Sequence, residues 1–245
     1  MNTPPPFSTH STHSTHSTHS TPEDSARIAF PEPAAETPLL LEKRRAGEAL
    51  RRIIDGLIMK QPDLTEVHHL AGQLETLAAT LEQSPDKPTR TSFGHRISPE
   101  DVRDFIEFSP LTGRANPVAP PLNLWAENGR AHGSIRFGRS FEGAPGVVHG
   151  GHVAAIFDEL LGFVQGFSKR PGMTGTLTIT YRAPTPLLTE LRLEGEYEGT
   201  EGRKILTSGR LFAGERLLAE ARGVFIMLTD EQYNLVAAMQ DDTQR

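Results

Sequence analysis

The residues best suited to chemistry lie in one stretch, Val148-His-Gly-Gly-His-Val-Ala-Ala-Ile-Phe-Asp-Glu-Leu-Leu-Gly162. Gly150 and Gly151 stand where a loop turns into a helix. A helix start leaves backbone N–H groups free and carries the positive end of the helix dipole. Such a start can stabilise negative charge developing on a bound carbonyl oxygen, and glycine lets that molecule come close. The helix that follows is apolar almost all round, with Val153, Ile156, Phe157, Leu160, Leu161, Phe163 and Val164, which predicts a buried element. Asp158 and Glu159 therefore fall where an unpaired carboxylate is costly. Such sites supply acid/base groups and nucleophiles.

Helical spacing separates the two carboxylates. Asp158 shares its stripe with the small residues Gly151, Ala154, Ala155 and Gly162, whereas Glu159 lies with His152, Ile156 and Phe163. The small stripe leaves room for a ligand beside Asp158, which makes Asp158 the expected reactive group. Glu159 is expected to pair with a polar or basic neighbour. The other reading makes Asp158 a structural carboxylate and the glycines packing devices. In the next segment Thr174, Thr176, Thr178 and Thr180 alternate with Gly175, Leu177, Ile179 and Tyr181. A period of two puts four hydroxyls, and then Arg182, on one face. That face is either a polar wall that orients water or ligand, or a solvent face that exploits threonine's strand preference.

The elements that must position these groups follow from the pattern. Strands are expected over Leu122–Glu127 and Ala131–Phe137, joined by Asn128-Gly129, a strong hairpin signal. The helix is expected from His149 to about Phe167. Four more strands are expected at Met173–Ala183, Leu191–Gly199, Lys204–Ala213 and Arg216–Leu228. One helix against a six-stranded, largely antiparallel sheet is an α+β solution. A Rossmann fold is excluded by the lack of helix–strand alternation and of G-x-G-x-x-G after a strand.

Upstream of this 122–228 domain, residues 1–38 read as a disordered leader. Its Ser8–Thr21 tract repeats Ser-Thr-His and contains no apolar side chain. Residues 39–84 read as a helical hairpin. Leu50, Ile53, Ile54, Leu57 and Ile58 form one apolar stripe, and Val67, Leu70, Leu74, Leu77, Ala78 and Leu81 form the other. Asp63-Leu-Thr-Glu66 has capping-box spacing. These stripes are expected to be covered by each other, by the main domain or by another subunit. Residues 85–121 read as a linker with a short helix opening at Ser98-Pro99-Glu100-Asp101, and 229–245 as a tail.

The 245 residues carry 25 basic and 31 acidic side chains, a net charge of −6, which argues against nucleic-acid partners. No cysteine is present, which rules out disulfides, thiol nucleophiles and cysteine-based metal sites. Of ten histidines, four lie in the repeat, and no metal site is expected. No apolar run is long enough to span a membrane. No secretory or transit signal is visible, so a cytoplasmic location is expected.

Three segments together resemble the hotdog-fold acyl-CoA thioesterases. They are His149-Gly150-Gly151 leading to Asp158, then Met173-Thr-Gly-Thr-Leu-Thr-Ile-Thr-Tyr-Arg-Ala-Pro184, then Glu201-Gly-Arg-Lys204. The likeness is to the phenylacetate-pathway type and to thioesterase superfamily members 4 and 5, and it covers roughly residues 110–228. It implies a hotdog fold, with the sheet wrapped around the helix, and hydrolysis of an acyl-CoA to a free acid and coenzyme A without a cofactor. It assigns Asp158 as general base or nucleophile and Thr174, or else Thr176, as the hydroxyl orienting water. Gly150 or Gly151 becomes the carbonyl's hydrogen-bond donor, and His149 a structural residue of the motif. Thr180, Arg182, Arg203 and Lys204 match positions that contact coenzyme A. The resemblance also implies a homodimer or dimer of dimers with the site at the subunit interface. Some relatives place an Asn or Gln before the HGG motif to help polarise the carbonyl; here either backbone donors suffice or Glu142, the only carboxylate of Phe141–Pro145, contributes. Two other functions are compatible with the sequence. One is a hydroxyacyl-thioester dehydratase using His149 or His152 with Glu159, the other a non-catalytic acyl-CoA binder.

Overall fold

A computed structural model describes residues 36–85, 106–120, 122–170, 172–229 and 231–232. The repeat tract and the Ser98 helix start lie outside the described residues, as does most of the tail. Helix α1 spans Pro38–Met59, and Thr37 caps it by accepting from the Leu40 N–H. Helix α2 spans Leu64–Glu82 and opens on the expected capping box, with Asp63 and Glu66 each accepting the other's backbone N–H at 2.9 Å.

The main domain is a six-stranded antiparallel sheet of β1 (Asn123–Glu127), β2 (Arg130–Ile135), β3 (Gly172–Tyr181), β4 (Leu191–Glu201), β5 (Lys204–Ala213) and β6 (Arg216–Met227). Its spatial order is β1-β2-β4-β5-β6-β3. Asn128 and Gly129 both take positive φ and close the β1–β2 hairpin, the turn their types favour. Helix α3 (Gly150–Gln165) lies across the concave face, and its Ile156, Phe157, Leu160, Leu161 and Val164 are fully buried against residues such as Leu193, Ile205 and Phe225. Gly195 and Gly209, paired across β4 and β5, let it settle there. A Cβ at Gly195 would stand 2.6 Å from Val164, and one at Gly209 would stand 3.1 Å from Leu160. This is the expected hotdog arrangement, a sheet wrapped on one long helix.

Three expectations need correction. First, α3 is not covered all round. Gly151 is exposed, and Ala154, Ala155, Asp158 and Gly162 are half-buried along one side. Second, the apolar stripe of α1 is covered only in part within the chain: Ile53 and Ile54 are half-buried, whereas Leu50, Leu57 and Ile58 are exposed. The helix also docks through Leu40, Arg44, Gly47, Arg51 and Asp55. Arg51 donates to the carbonyls of Arg114 and Asn116, and Arg44 pairs with buried Glu107. The segment it meets is irregular, and its carbonyls lack sheet or helix partners, so donors fit there better than leucines. Helix α2 buries no residue within the chain.

Third, the threonine strand is not one alternating run. Thr174 pairs with Phe225 and Thr176 with Val224, so β3 carries an extra residue, Gly175, in a β-bulge. Directly paired residues share a face. Thr174, Leu177, Ile179 and Tyr181 therefore lie with Phe225, Gly223, Ala221 and Ala219 on the helix side. Thr176, Thr178 and Thr180 lie with Val224, Arg222 and Glu220 on the outer side. β3 is also an edge strand, bonded only to β6 among the described residues.

Candidate active site

The loop into α3 is tied down before it reaches the glycines. The Val148 N–H donates to the Thr185 carbonyl, and the His149 N–H to that of Phe141. Glu142 closes the same loop by accepting from the Gly146 N–H, with Arg139 at 3.4 Å. Its carboxylate is thereby occupied within its own turn rather than offered to a ligand.

At the helix start the N–H groups are distributed unequally. The His149 carbonyl accepts from His152 at 2.9 Å and from Val153 at 3.4 Å, and the His149 Nδ1 accepts from the Gly151 N–H at 3.1 Å. Among the described residues only the Gly150 N–H of this turn has no partner. The two glycines that sequence left equivalent are thus distinct, one capped by imidazole and one available. Tyr181 reaches over from the sheet, and its hydroxyl donates to the Gly150 carbonyl at 2.8 Å. Beside them opens an apolar cleft of about 620 Å³, with Val147, Val153, Tyr181, Ala183 and Pro184 in its walls. His152 packs edge-on to Phe141, and burial, then neighbouring His149, lowers its pKa.

Two turns along α3, the Thr174 hydroxyl donates to the Asp158 Oδ1 at 2.9 Å. The pair lies half-open at the unpaired edge of β3. Glu159, on the other side of the helix, accepts from the Thr112 hydroxyl at 3.4 Å. Burial, the largest influence, holds it toward the neutral form. The bond from Thr112 opposes that, and the adjacent Asp158 charge adds to it. The pairing expected of Glu159 is thus with a hydroxyl.

The remaining candidates are dispersed. Thr176 and Thr180 face outward from the sheet. Arg182 is bound to Glu220 at 2.8 Å. Arg203 donates to the Met227 carbonyl and to Gln232. Lys204, paired in register with Ile226, is exposed and has no ion pair among the described residues. It stands one row from Thr174, at the same end of the sheet. Tyr181 and Thr112 were not singled out by sequence. Gly175 was the one signal for Tyr181, since a lone glycine in a strand marks a bulge, and a bulge changes which residues share a face.

The chain's sequence is similar to acyl-coenzyme A thioesterase THEM4 of Mus musculus. The two are 36% identical over 97 residues, which is 39% of this chain and 42% of the mouse protein. The Xenopus laevis protein of the same name is 34% identical over 93 residues, 42% of its length. The matched segments thus span about two-fifths of these relatives. A solved structure of a thioesterase superfamily protein superposes with a TM-score of 0.67 and 29% identity, covering 80% of this chain and 97% of that one. That coverage exceeds the sheet domain alone. No protein-family profile matches the chain. Architecture and likeness together establish a hotdog fold related to the thioesterases.

Proposed function

We propose that the protein hydrolyses an acyl-CoA thioester to a free acid and coenzyme A. The observation that carries this is the Thr174–Asp158 hydrogen bond at the open edge of β3, in a chain similar to acyl-CoA thioesterases. Asp158 is an acceptor held by a hydroxyl and half open to solvent, the circumstance of a base that takes a proton from water. The same carboxylate could instead attack the carbonyl directly. The thioester oxygen rests on the Gly150 N–H, where developing charge meets the helix dipole. Of the three basic candidates, Lys204 has no ion pair or side-chain hydrogen bond among the described residues and is the cation offered to the coenzyme's phosphates. Arg182 and Arg203 would join it by exchanging their present partners.

One chain cannot assemble this site. Gly150 and Asp158 are eight residues apart on one helix, about 12 Å. A carbonyl held at the first cannot be reached by a water held at the second. A second copy solves this if the β3 edges pair across a two-fold axis. On β6, the partners of Thr174 and Tyr181 are Phe225 and Ala219, three residues to either side of Arg222, which faces Thr178. A two-fold through Thr178 therefore sets Thr174, with its Asp158, opposite Tyr181, with its Gly150, on the helix side. The small side of α3 leaves room for the second helix. The free β3 edge and this symmetry support a homodimer with two composite sites. A dimer of dimers would bury the outer sheet faces as well.

The test is thiol release from a panel of acyl-CoAs. Wild type is expected to release thiol, and Asp158→Asn to lose roughly 10²–10⁴-fold. Near-normal rates in Asp158→Asn would refute the assignment, and binding without release would make the protein an acyl-CoA binder. The dehydratase reading gains nothing from the structure, because Glu159 binds Thr112 and the His149 Nδ1 binds the Gly151 N–H.

A further inference from the structure

The peptide between Gly150 and Gly151 is gripped on both sides. Its N–H donates to the His149 Nδ1 at 3.1 Å, and its carbonyl accepts the Tyr181 hydroxyl at 2.8 Å. A carbonyl has two lone pairs, so this bond coexists with the helical one. Without a grip, consecutive glycines at a helix start would be weakly constrained backbone. The ungripped N–H of Gly150 belongs to the preceding peptide, and its direction depends on how Gly150 is held. Tyr181 comes from the edge strand rather than from the loop or helix, so its hydroxyl ties the helix start to the sheet. Its ring also walls the apolar cleft beside Gly150.

We propose that Tyr181 is a positioning residue for the hydrolysis argued above. It acts through the Gly150 carbonyl to aim the Gly150 N–H at the thioester oxygen. The inference rests on that functional reading. It predicts that the hydroxyl serves the transition state rather than substrate binding, because charge on the oxygen grows only as the carbonyl is attacked.

Tyr181→Phe keeps the ring and removes the hydroxyl. Its kcat is expected to fall about 10- to 100-fold, the penalty of a misaimed catalytic group, with KM changed less than about threefold. Tyr197→Phe, which loses an exposed hydroxyl bonded to Thr200 on β4, is expected to keep wild-type kcat. A spectroscopic readout comes from carbonyl-labelled acyl-CoA bound to Asp158→Asn, where the infrared carbonyl stretch should lie below its solution value. Adding Tyr181→Phe should return it toward that value. Unchanged kcat, a change in KM alone, or an unmoved carbonyl stretch overturns the proposal. If wild type hydrolyses no acyl-CoA, the functional reading fails by itself. The clamp is then judged from the ¹⁵N-glycine spectrum, where Tyr181→Phe must shift the Gly150 and Gly151 amides and speed their exchange. Unshifted amides overturn it there too.

Discussion

Glu159 is held toward its neutral form chiefly by burial. Its folded pKa lies above its ordinary value of 4.5, while the unfolded chain titrates near that value. The folded state thus binds the extra proton. The stability this confers is complete below about pH 4.5 and is lost as pH rises through the raised folded value. Glu159→Gln keeps the shape and removes the titration. It is expected to match wild type near pH 4 and to melt at a higher temperature near pH 8, measured by thermal unfolding across that range. A variant no more stable than wild type near pH 8 would contradict the assignment. Asp158 and Glu159 are adjacent in sequence, yet one faces an open edge and the other a packed loop. Helical spacing was enough to separate them, because it reports which side of a helix a residue occupies. It could not report that Thr112 would lie opposite Glu159, since the Ser109–Pro120 loop has no periodicity to read. Nor could it decide between Gly150 and Gly151, which differ only in where the His149 imidazole turns.

Helix α1 is tied to the candidate site at one remove. Its Asp55 accepts from the Ser140 N–H at 3.3 Å, in the short 3-10 turn Arg139–Phe141, and the Phe141 carbonyl accepts the N–H of His149. The helix is held by the Arg44–Glu107 pair, in which Glu107 is 8% exposed. Truncating one partner of a buried pair leaves the other uncompensated. Arg44→Ala is therefore expected to destabilise the fold by about 3 kcal/mol. The double variant with Glu107→Ala should lose less than the sum of the two single variants. Urea unfolding of the three variants checks this, and an additive result would mean the pair is not coupled. The sequence showed that α1 is a helix, through its stripe and the stop before Pro62. Its docking face was legible only in part, because burial by arginines against loop carbonyls leaves no apolar pattern. The strands of the sheet were legible to within a few residues, as alternation and turn residues agreed. The separation of Thr174 from Thr176, Thr178 and Thr180 was not, because alternation counts residues and the bulge at Gly175 breaks the count.

A long unpaired edge such as β3 invites pairing with another chain, and here the edge carries half of the proposed site at each end. Antiparallel self-pairing about Thr178 is an isologous contact, in which that residue meets its own copy. Facing residues in an antiparallel pair have Cα atoms about 4.5–5.5 Å apart, inside the range a disulfide spans. Thr176 would instead face Thr180 of the other copy. Its own copy would lie four residues further along, about 13 Å away. The chain has no cysteine, so introduced thiols act without background. Thr178→Cys should convert to a covalent dimer on oxidation or with a short bis-thiol reagent, read on a non-reducing gel. Thr176→Cys alone and Thr180→Cys alone should remain monomeric there, while an equimolar mixture of the two should cross-link. Cross-linking of Thr176→Cys with itself would mean another register. In that register Asp158 would no longer stand opposite Gly150 of the second copy, so the same gel also tests the composite site. All three thiols lie on the outer face of the sheet, away from the helix side where Thr174 and Tyr181 meet. Failure of all three to cross-link, with dimer mass shown by light scattering, would place the subunit contact elsewhere and remove the partner's carboxylate from the reaction.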